Sequence, residues 1–482
     1  CASIVFGEKL DFMITINRKG ADFHRNRNDK PMKKKTTVSP FPSVEELHRC
    51  RTAEGTSPAR AALIALFDDD TFVELGTYTK RSYHDGALVG KDAEFEGVIT
   101  GYGAVNGQLV FAFAQDETRM HGAIDARHAD KIEALYDLAL KKGAPVVGMF
   151  SSAGADIYEG VAAMAAYGRI LKTVTEASDE ILQIAYIRGL CIGTAAAIAS
   201  AFDFVIAKED APFYVTSPEL GGHSAEAGAW CYKADENAAI AYVRSLLDFI
   251  PDTTIENETA DDLNRLLPPL PLSEDIRATI GAIADDGKMV EVYADWGTSV
   301  ITAFLSIGGV KCGVVAGNYA EDHGRITRAA AYKTAEFLDI CDSFGLPVVS
   351  LVNSDGLAPD APADAVRALA FAYTQLGVPG VTVILDHAVG AAFTLMGSKS
   401  LGCELVYALP TSEIGAMTAS ASVAFAWNDA VSETVTREKL EETWRAEESS
   451  PVAAASLGEV DDLIDASEIR TRIASALLML TC

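Results

Sequence analysis

Cysteine and positive charge are sparse in this sequence, and long apolar runs are absent. The eight cysteines, at 1, 50, 191, 231, 312, 341, 403 and 482, are scattered. None forms a C-x-x-C pair, which excludes a zinc ribbon or a dithiol redox motif, and the spread fits reduced thiols in a cytoplasm. Lys and Arg number 40 against 68 Asp and Glu, a net charge of −28. A surface that acidic argues against nucleic acid or an anionic membrane as a partner. The best candidate for a membrane span, Gly189 to Phe202, has 14 residues rich in Gly and Ala. It is too short to cross a bilayer and reads as buried core. There is no G-x-S-x-G and no Walker A loop, and Gly101-Tyr102-Gly103 is followed by Asn106 where the dinucleotide pattern needs glycine.

What remains is globular. The chain has 482 residues, 49% hydrophobic and 22% charged, which at about 150 residues per domain suggests two or three domains. Residues 1–43 carry nine Lys/Arg against four Asp/Glu, including Lys33-Lys34-Lys35, and read as a disordered basic tail. Pro251, acidic residues and the Pro-rich run Leu266 to Leu272 place a boundary near residue 255, dividing the body into 44–255 and 256–482. The loop Gly221 to Gly228 reads as mobile.

The body is duplicated. Arg60 to Glu74 resembles Arg277 to Glu291, 217 residues on. Lys131, Gly143, Pro145, Val146, Ser152 and Gly154 recur 202 residues later as Lys333, Gly345, Pro347, Val348, Ser354 and Gly356. Gly189 to Ala196 pairs with Leu385 to Ala392. Three matches in the same order mark an internal repeat. Leu109–Ala114 and Lys311–Ala316 are strand-like. Ala126–Lys142 and Ala330–Phe344 have helical spacing, and Pro145–Phe150 and Pro347–Val352 are again strand-like. The order predicts α/β units with functional turns at the strand C-termini.

Those turns are small-residue runs: Ser151-Ser152-Ala153-Gly154-Ala155 and Cys191-Ile192-Gly193-Thr194-Ala195 in the first half, Asn353-Ser354-Asp355-Gly356 and Ala388-Val389-Gly390-Ala391-Ala392 in the second. Gly and Ala before a helix expose free N–H groups that bind anions or a developing oxyanion. Close helix–strand packing explains the same residues equally well.

Longer stretches carry a family resemblance. DAEFEGVITGYGAVNG from Asp92, FAFAQDETRMHGAIDARHADKI from Phe111 and KKGAPVVGMFSSAGADIYEG from Lys141 resemble carboxyltransferase subunits of biotin-dependent acyl-CoA carboxylases and decarboxylases. So do IRGLCIGTAAAIASAFDF from Ile187, GGVKCGVVAGN from Gly308 and HAVGAAFTLMGSKSLGCELVYALPTSEIGAM from His387. The family includes acetyl- and propionyl-CoA carboxylase beta chains and methylmalonyl- and glutaconyl-CoA decarboxylase alpha chains. The resemblance implies tandem crotonase-like domains of the ClpP/crotonase ββα-superhelix kind. It implies that the first half holds acyl-CoA and the second holds biotin, borne on a separate carboxyl carrier protein, with no metal. It implies a cytoplasmic homo-oligomer, dimer to hexamer, with active sites where the first half of one subunit meets the second half of another. Biotin carboxylase or sodium-pumping decarboxylase subunits would be further partners, since no biotinylation motif or ATP-grasp pattern is present in the chain.

The resemblance places the catalytic N–H donors at Gly193, Thr194, Gly390, Ala391 and Ala392. Substrate contacts fall on Ala153, Gly154, Ala155, Asp156 and Thr394. Thr194 stands where the family has a second glycine, and Asp156 where it has arginine. These departures keep two other readings open: a biotin-independent crotonase-type acyl-CoA enzyme using Asp156 or Glu159, and a non-catalytic or specialised paralogue in a hetero-oligomer. His128 reads as a structural or interface histidine and Cys191 as a buried filler. Glu413 reads as a helix cap. Asp386-His387 is expected not to act as a pair, because strand neighbours point to opposite faces.

Overall fold

Two eight-stranded sheets with the same plan carry the chain in a computed structural model that describes residues 43–46, 57–81, 95–220, 228–249, 259–272, 274–432 and 434–481. Nearly all of the expected basic tail, residues 221–227 of the expected mobile loop, and the expected boundary at 255 lie outside the described residues.

The first sheet contains β1 (Val73–Leu75), β2 (Val98–Val105), β3 (Gln108–Gln115), β4 (Val146–Ser152), β5 (Gln183–Ile192), β6 (Phe204–Lys208), β7 (Phe213–Tyr214) and β8 (Tyr232–Ala234). Its order is β1-β2-β3-β4-β5-β6-β8, with β7 beside the far end of β5. The pairs β1–β2 and β2–β3 are antiparallel, and from β3 onward every pair is parallel. The second sheet repeats this with β9 (Met289–Val292), β10 (Val300–Ile307), β11 (Val310–Gly317), β12 (Val348–Ser354), β13 (Gly380–Val389), β14 (Leu405–Ala408), β15 (Glu413–Gly415) and β16 (Asp462–Leu463). The order is β9-β10-β11-β12-β13-β14-β16, with β15 beside β13. Two α/β units of one plan, in tandem, are therefore the architecture, as the resemblance to crotonase-like domains implies.

The sequence repeats become matched contacts. Arg60 pairs with Glu74 and Arg277 with Glu291, each at 2.6 Å, tying a helix to the first strand of its sheet. Asp68 accepts the N–H groups of Asn106 and Gly107, and Asp285 those of Gly308 and Gly309. Arg244 and Arg470 then neutralise those two aspartates. The helix Ala126–Lys142 starts where Asp125 accepts the His128 N–H and stops at Gly143, with φ of 61°. Its second copy spans Arg328–Ser343, two residues earlier than expected at its start, because Thr327 caps the Ala330 N–H. The 14-residue apolar stretch resolves into the end of β5 and the short helix Thr194–Ala199. No helix among the described residues is long and apolar enough to cross a membrane.

The two sheets share one core. Phe204 meets Phe304 edge to face at 6.0 Å, Tyr293 N–H donates to the Cys231 carbonyl, and the Tyr242 hydroxyl donates to the Glu291 carbonyl. Beneath each sheet lies a buried lysine. Lys131 donates to the Val98 carbonyl, and Lys333, wholly buried, lies 3.4 Å from the Tyr293 carbonyl. Burial lowers Lys131 to about 8 and Lys333 to about 7. Above pH 7 the folded chain holds fewer protons at Lys333 than the unfolded chain, so this group's cost shrinks as pH rises from about 7 towards 10.5. Lys333→Met is therefore expected to be more stable than wild type at pH 7, with a gap that narrows by pH 10 in urea unfolding midpoints. A gap independent of pH would refute the assignment.

Candidate active site

Both halves build the same turn by the same bonds. At the end of β4, Ser152 Oγ accepts the Gly154 N–H at 3.1 Å, and at the end of β12 Ser354 Oγ accepts the Gly356 N–H at 3.2 Å. Ala153 N–H donates to the His121 carbonyl, as Asp355 N–H does to that of His323. Both histidines hold a positive φ, 54° and 55°. Ile124 and Ile326 then clamp the chain by donating to the carbonyls of Gly154 and Gly356 and accepting from Asp156 and Ala358. Ala155 and Leu357, caught between those bonds, have N–H groups without an acceptor among the described residues.

The facing turn leaves β5 or β13 through glycine. Gly193 has φ 61° and ψ −131°, and Gly390 has φ 56° and ψ −123°. A side chain is strained there, so the position needs glycine. Here the sequence expectation is corrected: the N–H groups of Gly193 and Gly390 are not free. They donate to the Tyr214 and Gly415 carbonyls at 3.0 and 2.8 Å, extending the sheet to β7 and β15. The donors without an acceptor among the described residues are one residue on, at Thr194 and Ala391, the first residues of their helices. Thr194 is accommodated because the positive φ belongs to Gly193 and not to it.

In the first half these turns face each other across an open cleft of about 330 Å³. Ala153, Gly154, Ala155, Gly193 and Thr194 all line it, together with Met164, Tyr167, Tyr214 and Val215, which sequence reasoning did not single out. The second-half positions follow by the repeat: Gly390 and Ala391 are half-buried, Ala392 is fully buried and packs as core, and Thr394 is exposed. Leu357 was also missed, although it stands 202 residues after Ala155.

Asp156 does not line the cleft. Its carboxylate is buried 2.9 Å from Arg81 Nη2, and Arg81 Nε reaches Asp125 at 3.2 Å. Beside them His128, fully buried, places Nδ1 3.2 Å from Glu96. Burial and the neighbouring Glu96 push Asp125 up to about 6, while the His128 ring and Arg81 outweigh burial and hold Glu96 below the usual carboxylate range. Glu159 is engaged too, accepting the Ala126 N–H at 2.8 Å. Both carboxylates offered by the biotin-independent reading thus hold the loop in place. Cys191 is buried, and burial raises its thiol to about 12, so it is a filler and not a nucleophile. Glu413 caps the helix Ala419–Ala426 by accepting the Ala419 N–H, and it pairs with Arg445.

The Asp386-His387 expectation is also corrected. His387 Nε2 lies 3.6 Å from Asp386 Oδ2, so the neighbours do converge, and Nδ1 lies 3.2 Å from Asp355 on the adjoining strand end. Alternation along a strand sets the Cβ direction only, and it gives no view of a partner on the next strand.

Residues 51–481 match the carboxyl transferase domain family. The chain is 34% identical over 476 residues to methylmalonyl-CoA decarboxylase subunit alpha of Veillonella parvula, covering 91% of this chain and 92% of that protein. It is 33% identical over 484 residues to the propionyl-CoA carboxylase beta chain of Saccharopolyspora erythraea, covering 89% and 88%. The solved structure of transcarboxylase 12S, described as a hexamer with methylmalonyl-CoA bound, superposes with a TM-score of 0.83 at 29% identity, covering 91% of this chain and 95% of that one.

Removing one partner from a buried ion pair strands the other charge. Asp156→Ala is expected to lower unfolding free energy by about 3 kcal/mol, and Arg81→Met by more, because it strands both Asp125 and Asp156. Denaturant titration checks both. An Asp156→Ala protein as stable as wild type would contradict the structural role.

Proposed function

The chain belongs to the carboxyl transferase family, and from that premise we propose that it moves a carboxyl group between biotin on a separate carrier protein and the α-carbon of an acyl-CoA. The carrying observation is the duplicated pair of unpaired N–H donors, Ala155 with Thr194 and Leu357 with Ala391, on rigid turns. The Ala155–Thr194 cleft is open to an acyl-CoA thioester, whose carbonyl oxygen gains negative charge when the α-carbon loses or accepts a carboxyl group. Two fixed N–H groups stabilise that charge without reorganising. The Leu357–Ala391 turn fits the ureido oxygen of biotin in the same manner, and its small side chains at Gly390 and Ala391 let a ring approach the backbone. Biotin supplies the ureido nitrogen that accepts or gives the carboxyl group.

Relatives named for methylmalonyl-CoA and propionyl-CoA support short branched or linear acyl groups. In this proposal the carrier, and a biotin carboxylase or a sodium-pumping subunit, are other polypeptides. Ile157, Tyr158, Val161, Met164, Val215 and Leu220 stand exposed around the first-half cleft, Ile157 and Leu220 by 81% each. An apolar rim of that kind suits a second subunit, and it supports a homo-oligomer in which the second half of one subunit closes over the first half of another.

The test is decarboxylation of malonyl-, methylmalonyl- and glutaconyl-CoA by the purified chain, with and without free biotin or biocytin. Loss of carboxylate that depends on biotin is the expected result. Turnover without biotin would indicate a crotonase-type acyl-CoA enzyme instead, and a folded but silent assembly would favour a partner subunit. Thr194→Pro is the sharper variant. Proline is accepted at the first position of a helix, where the N–H has no intrahelical partner. It should lower biotin-dependent turnover about a hundredfold while leaving the unfolding midpoint nearly unchanged.

A further inference from the structure

Four strand ends meet at the second-half turn with titratable side chains that oxyanion stabilisation does not use. Tyr319 follows β11, Asp355 follows β12, Asp386 and His387 lie near the end of β13, and Glu413 opens β15 beside His387. At the matching places the first half keeps one titratable group, Glu117, and it is paired with Arg188. Asp355 stands 202 residues after Ala153, which lines the first-half cleft, and Tyr319 stands 202 residues after Glu117. The repeat therefore puts Asp355 at the wall of the second-half cleft.

The cluster is organised around one ring. His387 stacks on Tyr319 with centroids 4.8 Å apart and planes 19° apart. Its Nδ1 lies 3.2 Å from Asp355 Oδ1, and both atoms are buried without an aligned hydrogen-bond partner among the described residues. Its Nε2, 3.6 Å from Asp386, is beyond hydrogen-bond length. The side chain as a whole is 22% exposed, so the ring is held in place and still reachable. The Tyr319 hydroxyl reaches Asp355 Oδ2 at 3.4 Å, and burial raises its phenol to about 12, so it stays neutral.

We propose that His387 is an acid–base group of this site that exchanges a proton with the α-carbon of the acyl-CoA. The inference rests on the reading above, in which the second half of one subunit covers the acyl-CoA held by the first half of another. In the simplest step the α C–H bond breaks, its electron pair enters the thioester enolate, and the proton passes to His387 Nε2. The reverse step quenches the carbanion left by carboxyl loss: imidazolium gives up the proton, a C–H bond forms, and water reloads the ring. Asp355 and Asp386 flank the ring, at 3.2 Å from Nδ1 and 3.6 Å from Nε2. Tyr319 stacks on the ring, Glu413 is its neighbour in register and is already paired with Arg445, and His323 lies behind them against Tyr319 and Asp355.

The test needs no biotin. The full chain is incubated with propionyl-CoA in D2O, and deuterium at the α-carbon is followed by mass spectrometry. Wild type should exchange. His387→Ala should slow exchange at least about a hundredfold, with imidazole restoring it and the unfolding midpoint and assembly size unchanged. Exchange by His387→Ala within threefold of wild type, or no exchange by wild type, would overturn the proposal. Biotin-dependent decarboxylation by wild type, run in parallel, separates this from failure of the carboxyl-transfer reading. If His387→Ala does not fold, Asp355→Asn decides. It should slow exchange roughly tenfold through kcat, with KM for propionyl-CoA unchanged. Exchange within about threefold of wild type, or a loss confined to KM, would again overturn it.

Discussion

At Gly193 and Gly390 the chain turns out of a parallel strand with φ near +60° and ψ near −130°, and most of what is functional here depends on that conformation. It lets one residue donate its N–H to the short strand beside it, while the next residue turns its own N–H away as the first of a helix. A residue with a Cβ is strained in that region, so the turn is held by glycine and tolerates threonine or alanine only afterwards. The partner turn, clamped by Ile124 or Ile326 on both sides, is equally fixed. In the first half Ala155 and Thr194, whose N–H groups have no acceptor among the described residues, thereby line one cleft.

Duplication then allowed the two halves to diverge around an unchanged backbone. Beneath its turn the first half buries Arg81 with Asp125 and Asp156, and His128 with Glu96, so charge holds the loop and the cleft itself carries no acidic or basic side chain. The second half carries its charge at the turn, in Asp355, Asp386 and His387, where solvent or substrate can reach it. One half thus lines a cleft with backbone and uncharged side chains, and the other brings ionisable groups to the same edge of its sheet. The shared core around Phe204 and Phe304 joins the two sheets within one chain.

The repeats at 202 and 217 residues were legible because structural glycines, the capped helices and the paired Arg–Glu and Asp positions are local features, and a local feature leaves its residues close together in the chain. Helix Ala126–Lys142 could be placed to the residue from its apolar spacing and from Gly143. The small-residue turns were legible as candidates for the same reason. Which N–H in each turn is free was not, since the acceptors of Gly193 and Gly390 lie on β7 and β15, more than twenty residues further on. Asp156 looked like a wall residue because its partner Arg81 is 75 residues away and nothing in the spacing couples them.

By itself, then, the sequence determined the duplicated α/β plan, the places where the backbone must turn through glycine, and the family to which those motifs belong. Periodicity and backbone stereochemistry act within a few residues, so they can be read along the chain. Tertiary structure alone decided which donors remain unpaired, that Asp156 and Glu159 are structural, and that His387 finds Asp355 across a strand boundary. Those outcomes depend on hydrogen bonds and ion pairs between segments distant in sequence, and such pairings exist only once the sheets have assembled.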